Sequence, residues 1–436
     1  MGLPRSTVTS VLSFILGTND ASMNMIASKK QPQLEGGGDG AGGATMETVI
    51  YIDGNSLIYH KLQDVIPVDA TASTLFAEKS VLKIVEQVKD SVIGQLNHIY
   101  LENRPFSKIV LVFDGPCPFA KNQEQRKRRF ANVSSLMASP GTFFMFKICQ
   151  EIYKWADDVF YSHATKGVDI KVEFSDCFVP GEGEIKILEA IRNNPNCRHV
   201  VYTKDSDFVL LLLTSCEENI ILVNDYQKIE KIILVKRVRD QFGLFDNQQY
   251  KEKLNSILLD MVFLSISFGN DYLKPMSHEQ KLLNLLLRYK KKKQKYPEKS
   301  LVHIEKNTIG LDLEFFTKIL IKSKDVQPSM KRSEEETLLT LNYLKSLLWC
   351  IGTYESGVCR NYSQFSHCTP PVLLSQMIQD MRILAKRDKI LMLPTIGDSS
   401  LLPVTFLMSI MPFTVSNCRV SESLFKAIKF LPIENN

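Results

Sequence analysis

A chain of 436 residues, 44% hydrophobic and 23% charged, suits one large globular unit or two fused lobes and excludes an array of small domains. Lys and Arg outnumber Asp and Glu by 53 to 48, a formal charge of +5, so a phosphate polymer is an acceptable partner but total charge alone does not select one. The nine cysteines form no CxxC pair and no Cys/His cluster at zinc spacing, and no apolar run approaches the ~18 residues needed to cross a bilayer. A disulfide scaffold and a membrane partner are therefore not expected, and a reducing compartment is: the cytoplasm, with the nucleus as the alternative.

Residues 1–47 open with a short apolar segment, Val8 to Leu16, suited to one helix, and continue into a Gly-rich polar stretch (27–45) that reads as a disordered insertion. At Thr48 the character changes. TVIYID (48–53), KIVLVFD (108–114) and HVVYTKD (199–205) are apolar runs that each end in Asp. Such runs suit strands buried on both faces. Helical patterns at 74–100, 120–138 and 183–193 separate them, which predicts a doubly wound, mostly parallel α/β core over residues 48–287. Folds of this kind place functional groups at the carboxyl ends of the strands. Residues 254–268 read as an apolar helix. RYKKKKQKYPEK (288–299) carries seven positive charges and one negative, and opens an expected basic linker, 288–332, that is either a spacer or a nucleic-acid contact. Residues 333–436 read as a mostly helical lobe, begun by a capping box, Ser333 to Glu336, ahead of an apolar helix.

Seven acids stand out by position. Asp53 and Asp114 end strands, and Glu182 and Glu184 lie in Pro180-Gly-Glu-Gly-Glu184 where a helix begins. Asp205 and Asp207 close the third strand, two residues apart and so expected on one side of an extended chain. Asp271 follows an apolar helix in Gly269-Asn-Asp271. Singly, each has a plain reading as a turn, cap or helix-start residue. Jointly, carboxylates gathered at one sheet edge repel one another unless a cation compensates. Mg²⁺ takes oxygen ligands, Mn²⁺ is an acceptable substitute, and two such ions about 3.5–4 Å apart can stabilise a phosphoryl displacement.

Beyond Asp114 comes AKNQEQRKRRF (120–130). On a helix, Lys121, Gln125 and Arg128 share a face with Arg129 beside them, while Arg126 and Lys127 point to solvent or to a polymer backbone. Three cations and an amide suit a terminal phosphate, although spacing alone also fits an ordinary solvated helix. An end-binding pocket beside a two-metal centre would make an exonuclease that favours a 5′-monophosphate. Tyr59 or His60, in Asp53-Gly-Asn-Ser-Leu-Ile-Tyr59-His60, could stack on the first base or serve as a boundary residue.

These residues resemble the Xrn-type 5′→3′ exoribonuclease family, through MGLP, DGNSLIY, FDGPCPFAKNQEQRKRRF, VPGEGEIKIL, KDSDFVLLLL and FGNDYLKP, then YLKSLLWCIGTYESGV and LLPVTFLMSIMP, over nearly the whole chain. The resemblance implies a PIN/flap-nuclease-like sheet with a helical C-terminal lobe. It implies metal binding by Asp53, Asp114, Glu182, Glu184, Asp205, Asp207 and Asp271, and 5′-phosphate binding by Lys121, Gln125, Arg128 and Arg129. It implies processive hydrolysis of 5′-monophosphorylated single-stranded RNA with two Mg²⁺ ions. The family usually has His where Tyr59 stands. Its Trp- and Tyr-rich stretch is replaced here by residues 359–367, with Tyr362 and Phe365 as candidates for the second wall of the base stack. The rival readings are a structure-specific DNA flap nuclease and a non-catalytic RNA-binding scaffold.

Overall fold

The computed structural model describes residues 5–17, 46–66, 77–165, 170–224, 227–244, 250–276, 281–305, 308–321, 333–359, 361–363, 373–394 and 400–410. The expected glycine-rich insertion and Phe365 lie outside the described residues. In chain order the elements are α1 (Arg5–Leu16), β1 (Thr48–Asp53), α2 (Gly54–Val65), α3 (Glu78–Glu102), β2 (Lys108–Val112), α4 (Asn122–Ala131, preceded by a 3-10 turn, Phe119–Lys121), α5 (Val133–Met137), α6 (Phe143–Ala164), β3 (Lys171–Ser175), α7 (Gly183–Arg192), β4 (Arg198–Tyr202) and α8 (Phe208–Thr214). They continue with β5 (Ile220–Asn224), β6 (Gln227–Glu230), α9 (Lys231–Phe242), α10 (Tyr250–Ile266), α11 (Leu282–Lys295), β7 (Val302–Glu305), β8 (Thr308–Asp312), α12 (Leu313–Leu320), α13 (Glu334–Ser356), α14 (Leu374–Arg387), β9 (Ile390–Pro394) and α15 (Pro403–Ile410). Among the described residues no helix is long and apolar enough to cross a membrane.

The main sheet has the order β3-β2-β1-β4-β5-β6. β1 pairs parallel with β2, β2 parallel with β3, and only the β5–β6 pair at the edge is recorded as antiparallel. Strand order runs outward in one direction from β1 and in the other from β4, which is the doubly wound α/β arrangement expected from the runs of buried residues. Contacts divide the chain into two compact units: unit I holds residues 47–187, 201–203 and 399–436, and unit II holds 1–46, 188–200 and 204–398.

Unit I is built on β1, β2 and β3. Every residue of β1 after Thr48 is buried, as its unbroken apolar run requires. Ile50, Ile52, Leu111 and Phe113 join a core with Val85 and Val88 of α3 and Met145, Ile148 and Ile152 of α6. Trp155 Nε1 donates to Asn97 Oδ1 at 2.8 Å, fixing α6 to α3 while satisfying the one polar atom of a buried indole. The register sets Asp53 opposite Val112 and Val112 opposite Ser175, so the carboxyl ends of these strands, and the loops after them, emerge together.

Unit II packs α1 through Val8, Val11, Leu12 and Ile15, and Gln241 caps the end of that helix by donating to the carbonyls of Phe14 and Ile15 at 2.6 and 2.7 Å. Within the stretch expected as a basic linker, residues 288–305 and 308–321 carry regular structure. Lys290 to Lys293 and Lys295 lie on α11, and β7, β8 and α12 follow, because Leu282, Leu285, Leu286 and Tyr289 give that helix an apolar face to bury. The helical lobe also contains a strand, β9, which pairs antiparallel with β8. The capping box forms at the start of α13, with Ser333 Oγ accepting from Glu336 N and Ser333 N donating to Glu336.

Candidate active site

In unit I the loops after β1, β2 and β3 are fastened to one another. Asp53, at the end of β1, caps α2. Its Oδ1 accepts from Ser56 N at 3.3 Å, and its Oδ2 accepts from Thr203 Oγ1 at 2.8 Å. Asp114 N donates to Asn55 Oδ1 at 2.9 Å, and Asp114 Oδ1 accepts from Gly183 N at 2.7 Å. The two backbones of the Gly115-Pro and Pro180-Gly loops cross-bond, Gly115 N to Gly181 O at 2.8 Å and Gly181 N to Pro116 O at 3.0 Å. A side chain at 115 would strike Val179 O at 1.8 Å, so this close approach requires glycine.

Gly183 explains the second glycine of PGEGE. A Cβ built there would stand 3.3 Å from both Asp114 Oδ1 and Asp53 Oδ1, so the two carboxylates flank one small residue at the start of α7. Glu182, 4% exposed, is ion-paired through Oε2 with Nζ of Lys121, 7% exposed. Glu184 is half-buried in the first turn of α7. Acid loop and basic helix therefore meet within one unit.

The remaining cations of α4 divide their tasks. Arg129 Nε donates to Ser139 Oγ at 2.9 Å, and burial pushes its guanidinium down to about 10, with Asp114 and Tyr59 opposing. Arg128 lies 3.4 Å from Glu124, one helical turn earlier. Gln125 is buried with its Oε1 lacking a partner among the described residues. Arg126, expected to face solvent, donates instead to Ser409 O of α15 at 2.7 Å, and Asn122 Nδ2 reaches Ser409 Oγ at 3.1 Å. The apolar segment near the chain's end thus clamps the basic helix, a pairing across more than 280 residues that no local pattern reports. Tyr59 is half-buried against the core, with its hydroxyl 2.9 Å from Ser135 Oγ, whereas His60 is exposed.

Four residues of unit I were not expected at the site: Asn55, Thr203, Ser409 and Lys186. Lys186 Nζ donates to Phe113 O at 2.7 Å and Asp176 O at 3.1 Å, stitching the ends of β2 and β3. Burial holds its ammonium down at about 8 against the attraction of Asp114 and Asp176. Its only sequence signal is a lysine on the otherwise apolar face of α7.

The other three predicted acids belong to unit II. β4 ends at Tyr202, and Asp205 and Asp207 lie in a turn rather than on extended chain. Asp207 N donates to Asp205 Oδ1 at 3.1 Å, and Asp207 begins α8. Asp271 is half-buried in a loop ordered by its neighbour Asn270. Asn270 Oδ1 accepts from Tyr272 N and Leu273 N at 3.0 and 2.9 Å, and its Nδ2 donates to Cys350 Sγ and Tyr354 OH of α13 at 3.2 and 3.4 Å. Asn270, Cys350 and Tyr354 were likewise missed, although each sits inside a motif that sequence reading singled out.

Among the described residues no group of three or more His, Cys, Asp and Glu side chains is placed to hold a metal ion. In unit I the donor chemistry of Asp53 and Asp114, carboxylate oxygens on both sides of Gly183, fits a hard divalent cation. The third carboxylate, Glu182, is held by an ammonium group instead.

The family description "XRN 5'-3' exonuclease N-terminus" matches residues 19–138 and 131–226. That is a shorter span than the near-complete resemblance expected from the motifs. The chain is 26% identical over 239 residues to 5'-3' exoribonuclease 1 of Schizosaccharomyces pombe, covering 43% of this chain and 18% of that protein. It is 24% identical over 225 residues to human 5'-3' exoribonuclease 1, covering 40% and 13%. The matches thus span less than a fifth of the length of these curated relatives. The solved structure of the T5 D15 protein co-crystallised with metal ions aligns over 78% of this chain and 100% of its own, at 8% identity and a TM-score of 0.29, a likeness too low to carry an argument. The acid loops and basic helix of unit I all lie within the matched residues 19–226, and it is through them that the chain is similar to the XRN 5'-3' exonucleases.

Proposed function

We propose that the chain is a divalent-metal-dependent 5′→3′ exoribonuclease that removes nucleoside 5′-monophosphates, processively, from single-stranded RNA carrying a 5′-monophosphate. The observation that supports this best is the direct pairing of Lys121 with Glu182, because it joins a cationic helix able to hold a terminal phosphate to the loop that carries the acids. Asp53 and Asp114 would hold Mg²⁺ or Mn²⁺. A bound divalent ion supplies Lewis-acid stabilisation of charge on the phosphoryl oxygens. Lys121 would exchange its carboxylate partner for the incoming 5′-phosphate, and Arg129, Arg128 and Gln125 would supply further donors to it. Ser409 of α15 anchors the helix through Asn122 and Arg126, which supports a basic helix held in place before substrate arrives. Glu184, Asp205, Asp207 and Asp271 are proposed to serve the same reaction, with two ions in all, and Tyr59 to stack on the first base. The described cysteines are free thiols, which supports a reducing compartment such as the cytoplasm.

The test is a degradation assay with Mg²⁺ on RNA bearing a 5′-monophosphate, 5′-hydroxyl or 5′-triphosphate, beside a DNA flap. Stepwise mononucleotide release from the monophosphate alone is expected, and Asp53→Ala or Asp114→Ala should reduce it to background. Internal cleavage, preference for the flap, or RNA binding without any hydrolysis would each overturn the reading.

A further inference from the structure

Beyond the acid loop, unit I carries a cluster of exposed aromatic rings that the hydrolytic reading leaves unused. Phe143 at the start of α6 is 39% exposed, and Phe178 and Val179, in the loop that leads into Glu182, are 44% and 46% exposed. Phe146 is half-buried between them, its ring 6.0 Å from that of Phe178 in an edge-on arrangement. Lys147 Nζ stands 5.4 Å from the ring centre of Phe143 and 5.3 Å from that of Phe146. The loop is held firmly. Asp176 Oδ1 accepts from Phe178 N at 2.8 Å and Val179 N at 3.3 Å, and Val179 O packs against Gly115. Phe146, Lys147 and the buried Ile148 to Cys149 pair show that the exposure is a matter of helix face: the inward side of α6 is already filled.

Exposed aromatic side chains gathered into one patch mark a contact surface. Rings interleaved with an ammonium group match a polymer that alternates flat bases with phosphates, since each ring offers a stacking face and the lysine a counter-charge. A protein partner would be served by the apolar rings, but nothing in that reading uses Lys147. The patch is also continuous, through Val179 to Glu182, with the loop that carries the acids.

We propose that Phe143, Phe146 and Phe178 with Lys147 form a second stacking platform, which grips bases of the single-stranded RNA beyond the 5′-terminal nucleotide. This rests on the nuclease reading for the identity of the strand, but it concerns binding and is measurable without hydrolysis. The platform is sequence-tolerant and sets how strongly affinity depends on RNA length.

The experiment is fluorescence anisotropy on the full chain without divalent metal, with a 5′-phosphorylated 12-nucleotide RNA, the same RNA made abasic after its first nucleotide, and a 5′-phosphorylated dinucleotide. The variants are Phe143→Ala/Phe178→Ala, Lys147→Ala, and Phe143→Tyr/Phe178→Trp as the aromatic replacement. The double alanine variant should bind the 12-mer about 10- to 100-fold more weakly, as losing one or two stacked bases implies. It should then bind the ordinary and abasic 12-mers alike, and the aromatic replacement should restore the difference. If the variants hold the ordinary 12-mer as tightly as wild type, the platform is overturned. If they lose affinity equally for dinucleotide and 12-mer, it is overturned as well. Length-dependent binding by a wild-type protein that releases no mononucleotide would sink the nuclease reading and leave the platform standing. Hydrolysis with no effect of the variants would do the reverse.

Discussion

Two helices of this chain are rich in cations, and they use them in opposite ways. In α4 and the turn before it, Lys121 is buried against Glu182, Arg126 is bound to a carbonyl of α15, and Arg129 is bound to Ser139. In α11, Lys291 and Lys295 are exposed and Lys290 and Lys292 half-exposed, with Lys293 alone buried, donating to Lys299 O at 2.6 Å. Charge density in the sequence is similar, so charge density alone does not identify an anion site. Burying a cation is costly unless a partner compensates, whereas exposed cations are hydrated and screened. The cations that α4 and the turn before it withdraw from water are held in place by protein partners. Those of α11 make a hydrated face.

The contrast breaks most easily at Lys121. Lys121→Ala leaves Glu182 buried without its ammonium, and the protein should lose about 3–5 kcal/mol of stability in urea unfolding. The double variant Lys121→Ala/Glu182→Gln should recover part of that loss, and a wild-type midpoint for the single variant would show the pair to be solvated. Next in size is a pH effect beside the buried lysine of α11. Asp260 accepts from Leu301 N, Val302 N and Tyr289 OH, and burial raises its carboxyl from 3.8 to about 6. Between those values the folded chain keeps a proton that the unfolded chain has released. This contribution to stability, about 3 kcal/mol, is therefore fully present below about pH 4 and lost as pH rises through about 6. Comparing unfolding of wild type and Asp260→Asn across that window checks the sign, since the variant should lack this part of the slope. Gly183→Ala should cost about 1–3 kcal/mol by crowding the carboxylates of Asp53 and Asp114, and nuclease activity should fall further than the melting temperature suggests. An activity loss no larger than the stability loss would deny the site its position there. Smallest of all, Lys291→Ala/Lys292→Ala should shift stability by no more than about 0.5 kcal/mol and leave the preference for a 5′-phosphate intact, which an assay on the three RNA ends would measure. A lost preference would make α11, not α4, the anion site.

Asp53 was legible because a run such as TVIYID fixes its own conformation and its own end; parallel pairing then sets it opposite Val112, two residues before Asp114, which follows β2 rather than ending it. The PGEGE motif was legible as a helix start for the same local reason. Lys186, Thr203 and Ser409 were not, because each acts through a hydrogen bond to residues remote in sequence. The Asp205–Asp207 pair was placed correctly in sequence but on the wrong backbone, since a strand that ends at Tyr202 turns before it reaches them. The linker expectation failed because a count of lysines outweighed the apolar face of α11.

By itself, then, the sequence determined the run of strands, the carboxylate that ends β1, the cationic helix and the likeness to the XRN exonucleases, because hydrophobic period and local charge are properties of short windows. Only the tertiary structure decided which cations are buried and which hydrated, that Lys121 faces Glu182, and that Gly183 separates two carboxylates. Burial and partnership are set by segments far apart in the chain, and the desolvation they impose is what distinguishes a site from a charged surface.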